Sequence, residues 1–179
     1  MNKNYFALTF ISEDRPGIVA KVSKILYENE FNIEDSSSTL LKGFFSMILI
    51  VSTDKDFKVN EIKKKFAPLV KELGMATSVR KIEKFKELPK GETFIISVYG
   101  ADKPGIVYSI SNFLAEKNIN IVDLQTKVAG SEQKPVYIMV LEVIIPDNFK
   151  DKNWAEELKS VAKSIGIDIN IRQIETYEM

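Results

Sequence analysis

Asp14-Arg15-Pro16-Gly17-Ile18-Val19 is met again 88 positions later as Asp102-Lys103-Pro104-Gly105-Ile106-Val107, and the same shift lays Asn32-Ile33-Glu34-Asp35 on Asn120-Ile121-Val122-Asp123. No gap separates the two matches. Farther on, after an extra four residues around Ser131 to Pro135, a shift of 92 aligns Leu73-Gly74-Met75 with Ile165-Gly166-Ile167 and Val79-Arg80-Lys81-Ile82 with Ile171-Arg172-Gln173-Ile174. The chain of 179 residues is thus one unit written twice. Two copies of this size point to duplicated domains, expected at 1–84 and 93–179, because a solenoid stacks three or more shorter repeats. Phe85 to Glu92, carrying Pro89 and Gly91, is the expected linker.

Periodicity gives the elements of each copy. Tyr5 to Ile11 is aromatic and β-branched, and Phe94 to Tyr99 repeats it, so both read as strands. Ile18, Val19, Val22, Ile25 and Leu26 then recur at helical spacing, matched by Ile106, Val107, Ile110, Phe113 and Leu114. Asn32 to Leu41 and Phe44 to Ser52 read as a hairpin turning at Lys42-Gly43. In the second copy Ala129 to Pro135 is expected to widen that turn into a polar loop before a strand from Val136 to Ile145. Val59, Ile62, Phe66, Leu69 and Leu73, and later Trp154, Leu158, Val161 and Ile165, mark a second helix ended by Gly74 or Gly166, with a bend expected at Pro68. Thr77 to Ile82 and Asp168 to Ile174 close each unit as βαββαβ.

Right-handed crossovers put both helices of such a unit on one face of a four-stranded antiparallel sheet, an α+β fold. On the strand from Val136 to Ile145, Tyr137, Met139, Leu141, Val143 and Ile145 are expected to face the helices. Val136, Ile138, Val140 and Ile144 then point the other way, an apolar excess that implies a second packing partner for that side.

Composition excludes much chemistry. The chain has no Cys and no His, so disulfides, thiolate and imidazole catalysis, and Cys or His metal sites are absent. The 25 basic residues balance 25 acidic ones, so no global field draws the protein to nucleic acid or an anionic membrane. No apolar run reaches membrane length, and the chain is expected to be cytoplasmic. Lys63-Lys64-Lys65, with Arg80, Lys81, Lys84 and Lys86, is interrupted by Glu61, Glu72, Glu83 and Glu87 and reads as a solvated face. No catalytic residue, cofactor or metal is expected: there is no Walker A motif, dinucleotide glycine fingerprint or regular carboxylate cluster.

The repeated turn carries the functional reading. Pro16 and Pro104 are expected at the first helical position, with Gly17 and Gly105 leaving room beside the free N–H groups of the first turn for a carboxylate or phosphate. Asp14 and Asp102 would then accept bonds from a ligand ammonium, which together describes a free amino acid. The competing structural reading has the Asp residues capping the helix and the Gly residues permitting close helix-to-sheet packing.

D-R-P-G-I-V followed by L-x-E-x-x-x-N-I-x-D, a hairpin, an amphipathic helix and a last strand resembles the ACT domain, over essentially the whole chain. A tandem of this length is similar to the glycine cleavage system transcriptional repressor group of ACT proteins. The resemblance implies ferredoxin-like domains, a non-catalytic regulatory role in transcription or metabolism, homo-oligomers, a protein partner, and amino acids bound between ACT domains. Ligand contacts would come from Asp14, Arg15, Pro16, Gly17, Ile18 and Val19 with Asn32, Ile33 and Asp35. In the second copy they would come from Asp102, Lys103, Pro104, Gly105, Ile106 and Val107 with Asn120, Ile121 and Asp123. Ser36 to Thr39 extend the first set with hydroxyls, where the second copy has Leu124-Gln125-Thr126-Lys127, so the two sites need not be equivalent. Alternatives are an interaction module without ligand and a small enzyme on the same scaffold.

Overall fold

The computed structural model of the chain describes residues 3–86, 89–131 and 133–174. It divides into two compact units, Met1–Lys86 and Glu87–Met179. The first runs β1 (Asn4–Glu13), α1 (Ile18–Glu28), β2 (Asn32–Leu41), β3 (Phe44–Thr53), α2 (Val59–Leu73) and β4 (Ala76–Ile82). The second repeats this as β5 (Gly91–Ala101), α3 (Ile106–Glu116), β6 (Asn120–Ser131), β7 (Lys134–Pro146), α4 (Trp154–Ser164) and β8 (Ile167–Ile174). Each forms an antiparallel sheet, ordered β2-β3-β1-β4 or β6-β7-β5-β8, so both units are ferredoxin-like βαββαβ folds.

The alternation of apolar residues along the central strands sets the cores. Phe6, Leu8 and Phe10 of β1 and Met47, Leu49 and Val51 of β3 face the helices and are buried with Val22, Leu26, Ile62 and Phe66. Ile96 and Val98 of β5 with Met139, Leu141 and Val143 of β7 do the same against Ile110, Leu114 and Leu158. The inward and outward sets expected along β7 are therefore observed: Met139, Leu141, Val143 and Ile145 are buried, while Val136 is exposed and Ile138, Val140 and Ile144 are half-buried on the other side.

Two expectations change. The four extra residues of the second copy do not widen a loop but lengthen the hairpin. Ala129 pairs with Val136 as Leu41 pairs with Phe44, and Gly130–Pro135 and Ser131–Lys134 add two further pairs to the ladder. Polar side chains disguised this stretch, because a two-stranded ribbon projecting from the sheet has no buried face to show an apolar pattern. Pro68 lies inside α2, which continues past it as one helix to Leu73. Near the junction, β5 begins at Gly91, inside the expected linker, and Phe85 packs edge-on against Tyr5 at 5.0 Å. A side chain at Gly91 would strike the Ile145 carbonyl, its Cβ only 1.9 Å from the oxygen, so glycine is required there. Glu87 and Leu88 of that linker, Glu132 of the second hairpin, and residues 1–2 and 175–179 of the expected domains lie outside the described residues.

Candidate functional site

The Asp-basic-Pro-Gly turn is built the same way twice. α1 begins at Ile18 and α3 at Ile106, so Pro16 and Pro104 lie in the turn ahead of the helix and not at its first position. The residues flanking the helices at their starts are Gly17, at φ 93°, and Gly105, at φ 97°, a left-handed conformation that side chains rarely adopt. Nothing lies within 4 Å of where a Cβ would stand on either glycine. The glycines thus answer to backbone geometry and not to close packing of helix on sheet, and the space beside them is open. Asp14 and Asp102 do not cap either, since no side chain caps α1 or α3.

That leaves the amides. The first helical bonds run from Lys21 N–H to the Gly17 carbonyl and from Ser109 N–H to the Gly105 carbonyl, each 2.9 Å. The N–H groups of Ile18, Val19 and Ala20, and of Ile106, Val107 and Tyr108, therefore have no acceptor among the described residues. They point where the helix dipole favours negative charge. In the first unit an open groove of about 440 Å³ lies here, lined by Asp14, Arg15, Gly17, Ile18, Val19, Ala20 and Phe45. The Asp14 N–H donates to the Gly43 carbonyl at 2.8 Å, tying the turn to the hairpin tip, where Lys42 and Gly43 both have positive φ.

The other expected contacts divide by burial. Ile18 and Ile106 are core residues, so only their backbone is available, whereas Val19 and Val107 are exposed. Arg15 reaches Glu13 at 3.9 Å between two exposed side chains, and it also lines a groove at the end of α2 with Glu72, Leu73 and Gly74. Lys103 lies likewise over the end of α4, its Nζ 3.6 Å from where a Cβ on Gly166 would stand. Both cations thus sit toward the negative end of a helix, and that role accounts for a basic residue at this position without a ligand.

Asn32, Ile33 and Asp35, and Asn120, Ile121 and Asp123, are not beside the turn of their own unit. Asn32 pairs with Ser52 and Ser52 with Tyr5, near the start of β1, while the turn follows Glu13 at its end. Asp35 is level with Ala7, six residues short of Glu13, a separation of about 20 Å of extended chain. The second unit has the same register, Asp123 opposite Glu142 and Glu142 opposite Ile95. Within one unit no small molecule touches both sets.

One polar residue escaped the sequence reading. Glu34 is the extra residue of a bulge between Ile33 and Asp35, and its carboxylate accepts bonds from the Ser52 hydroxyl, the Asn32 amide at 3.2 Å and Lys3 Nζ at 3.1 Å. These bonds, Ser52 first, then Asn32 and Lys3, pull its pKa from 4.5 to about 2. The Lys3 pKa rises in response. Asn32 is thereby already engaged. No local pattern announces the cluster, because Lys3 and Ser52 join it only through strand pairing. The second unit keeps the bulge, between Ile121 and Asp123, with Val122 in place of Glu34.

A family model described as an ACT domain matches residues 4–80 and 92–171. The chain belongs to the ACT domain family. It is a tandem ACT protein, and shorter relatives match less than half of it. A UPF0237 protein of Methanopyrus kandleri is 38% identical over 74 residues, 41% of this chain and 82% of that protein. Another, of Neisseria meningitidis serogroup B, is 40% identical over 86 residues, 48% of this chain and 96% of that one. Among solved structures, an unknown protein from Galdieria sulphuraria aligns with TM-score 0.81 and 26% identity, covering 97% of the tandem ACT chain and all of its own (100%). A protein described as a candidate glycine cleavage system transcriptional repressor aligns with TM-score 0.73 over 98% of this chain and 100% of its own, at 15% identity, a likeness of fold. No helix among the described residues is long and apolar enough to cross a membrane. No group of three or more carboxylates among them is placed to hold a metal.

Proposed function

We propose that this tandem ACT protein is a non-catalytic regulatory protein that binds a free amino acid and acts in transcriptional or metabolic control through ligand-dependent protein interactions. The observation that carries the reading is the pair of helix starts with three amides each that have no acceptor among the described residues, beside open space at Gly17 and Gly105. A ligand carboxylate would accept from those amides. Its ammonium would meet Asp14 or Asp102, whose side chains no helix cap engages. Because Asn32 to Asp35 lie about 20 Å or more away along the strand, they would close the site only when supplied by another ACT domain, which would couple ligand binding to how ACT domains are arranged around one another. That linkage is how a module without catalytic groups would transmit a signal. The fold likeness to a candidate transcriptional repressor supports the regulatory direction without fixing the pathway.

The test is calorimetry of the full chain against a panel of free amino acids, with folding checked by circular dichroism. At least one amino acid gives saturable heat, lost when Asp14→Ala and Asp102→Ala are combined. A folded protein that binds none of them is an interaction module without ligand.

A further inference from the structure

The side of the first sheet turned away from the helices holds a pattern that the amino-acid reading does not use. Strand pairing puts Asp35 of β2, Ile50 of β3, Ala7 of β1 and Arg80 of β4 in one row across that face. The next rows place Ile48 beside Thr9 and Ile11 beside Ser46. Ile48 and Ile11, on the two central strands, are 53% and 49% exposed, with the exposed Phe44 on β3 beyond them, so apolar side chains gather on this face. Among the described residues neither Arg80 nor Asp35 has an ion-pair partner.

We propose that this open face is a self-association surface, on which a second copy of the chain docks its own first unit, Arg80 of each copy meeting the partner's Asp35. The geometry is self-complementary. A two-fold axis parallel to the strands, passing between β3 and β1, reverses the strand order of the facing sheet while keeping each row at its level. It sets β4 over the partner's β2, so one operation makes two Arg–Asp pairs and lays the isoleucines against the facing centre. Packed sheets stand about 10 Å apart, a gap that an arginine stem spans and a short side chain does not.

The choice of residue supports this. Of 25 basic residues only three are arginine, at positions 15, 80 and 172. Arginine holds carboxylates in two-bond geometry at interfaces where lysine gives a single point charge. The second unit keeps the outer pair as Asp123 and Arg172 but places Glu142 where the first has Ile50, which charges the centre of its face. The first unit is therefore the docking face.

Sedimentation of the full chain over a concentration series, without ligand, tests the proposal independently of amino-acid binding. The chain forms a dimer or an even multiple of it. Arg80→Asp or Asp35→Arg alone weakens association roughly 100-fold, because like charges are forced together. The double reversal restores it to within about 10-fold, and Ile48→Lys abolishes it. All of these positions are exposed, and circular dichroism verifies that each variant is folded. A chain that stays monomeric, association indifferent to Ile48→Lys, or a double reversal as weak as the single ones overturns the assignment.

Discussion

The two units share their turn and differ at the start of their second strand. In the first, Lys3, Asn32 and Ser52 converge on Glu34 at the bulge. The equivalent residues of the second are Gly91, Asn120, Ile144 and Val122, so only the asparagine is kept. Yet the bulge stands at the same place in both sheets. Duplication has thus preserved a backbone feature while replacing most of a polar clasp by residues that cannot form one. This teaches that the bulge is specified by what it does to the strand, which is to bring Asp35 and Asp123 onto the open face, and not by the side chains that hold it.

Changes at matched positions break or sharpen that comparison. The largest effect is expected in the cores, where Phe10 and Val98 are equivalent and fully buried. Phe10→Ala removes a ring packed on Phe66 at 5.0 Å and costs about 3–5 kcal/mol, while Val98→Ala costs about half that. Urea unfolding, resolved by a probe in each unit, reads both. Next come Gly17→Ala and Gly105→Ala. Each costs about 1–2 kcal/mol because of positive φ, and the two costs are alike because neither site is crowded. A much larger loss at one of them would mean that the turns are not equivalent.

Acid stability separates the units more finely. Glu34 has a folded pKa near 2 against 4.5 when free, so its stabilisation is complete above 4.5 and is lost as pH falls from there through 2. Glu34→Val, which installs the residue of the second copy, should destabilise the first unit at pH 6 and converge with the parent only below pH 2, as followed by urea midpoints. The smallest change is expected from the hairpin. Replacing residues 130–135 by the two-residue turn of the first copy removes only two ladder pairs at the end of the sheet, and the second unit's midpoint should move by less than about 1 kcal/mol.

Much of the fold was legible because each core strand alternates cleanly, as in Phe6, Leu8 and Phe10, and because the repeat let each copy check the other. The longer hairpin was not legible, since its added pairs, Gly130–Pro135 and Ser131–Lys134, carry no apolar alternation in the sequence. At the candidate site the turn could be located from Pro-Gly alone, but its geometry could not. Proline in the chain ahead of a helix and proline at its first position look identical in sequence, and only φ at Gly17 and Gly105 separates them. The 20 Å between Asp35 and the turn is invisible to a motif, because it depends on β1 and β2 running parallel on either side of β3.

The most direct test of amino-acid recognition follows the backbone amides themselves by ¹⁵N-resolved NMR of the full chain during titration with the amino acid that calorimetry selects. The N–H signals of Ile18, Val19 and Ala20, or of Ile106, Val107 and Tyr108, should show the largest shifts and should saturate with the heat. Shifts confined to other residues, with these six unmoved at saturation, would contradict the account.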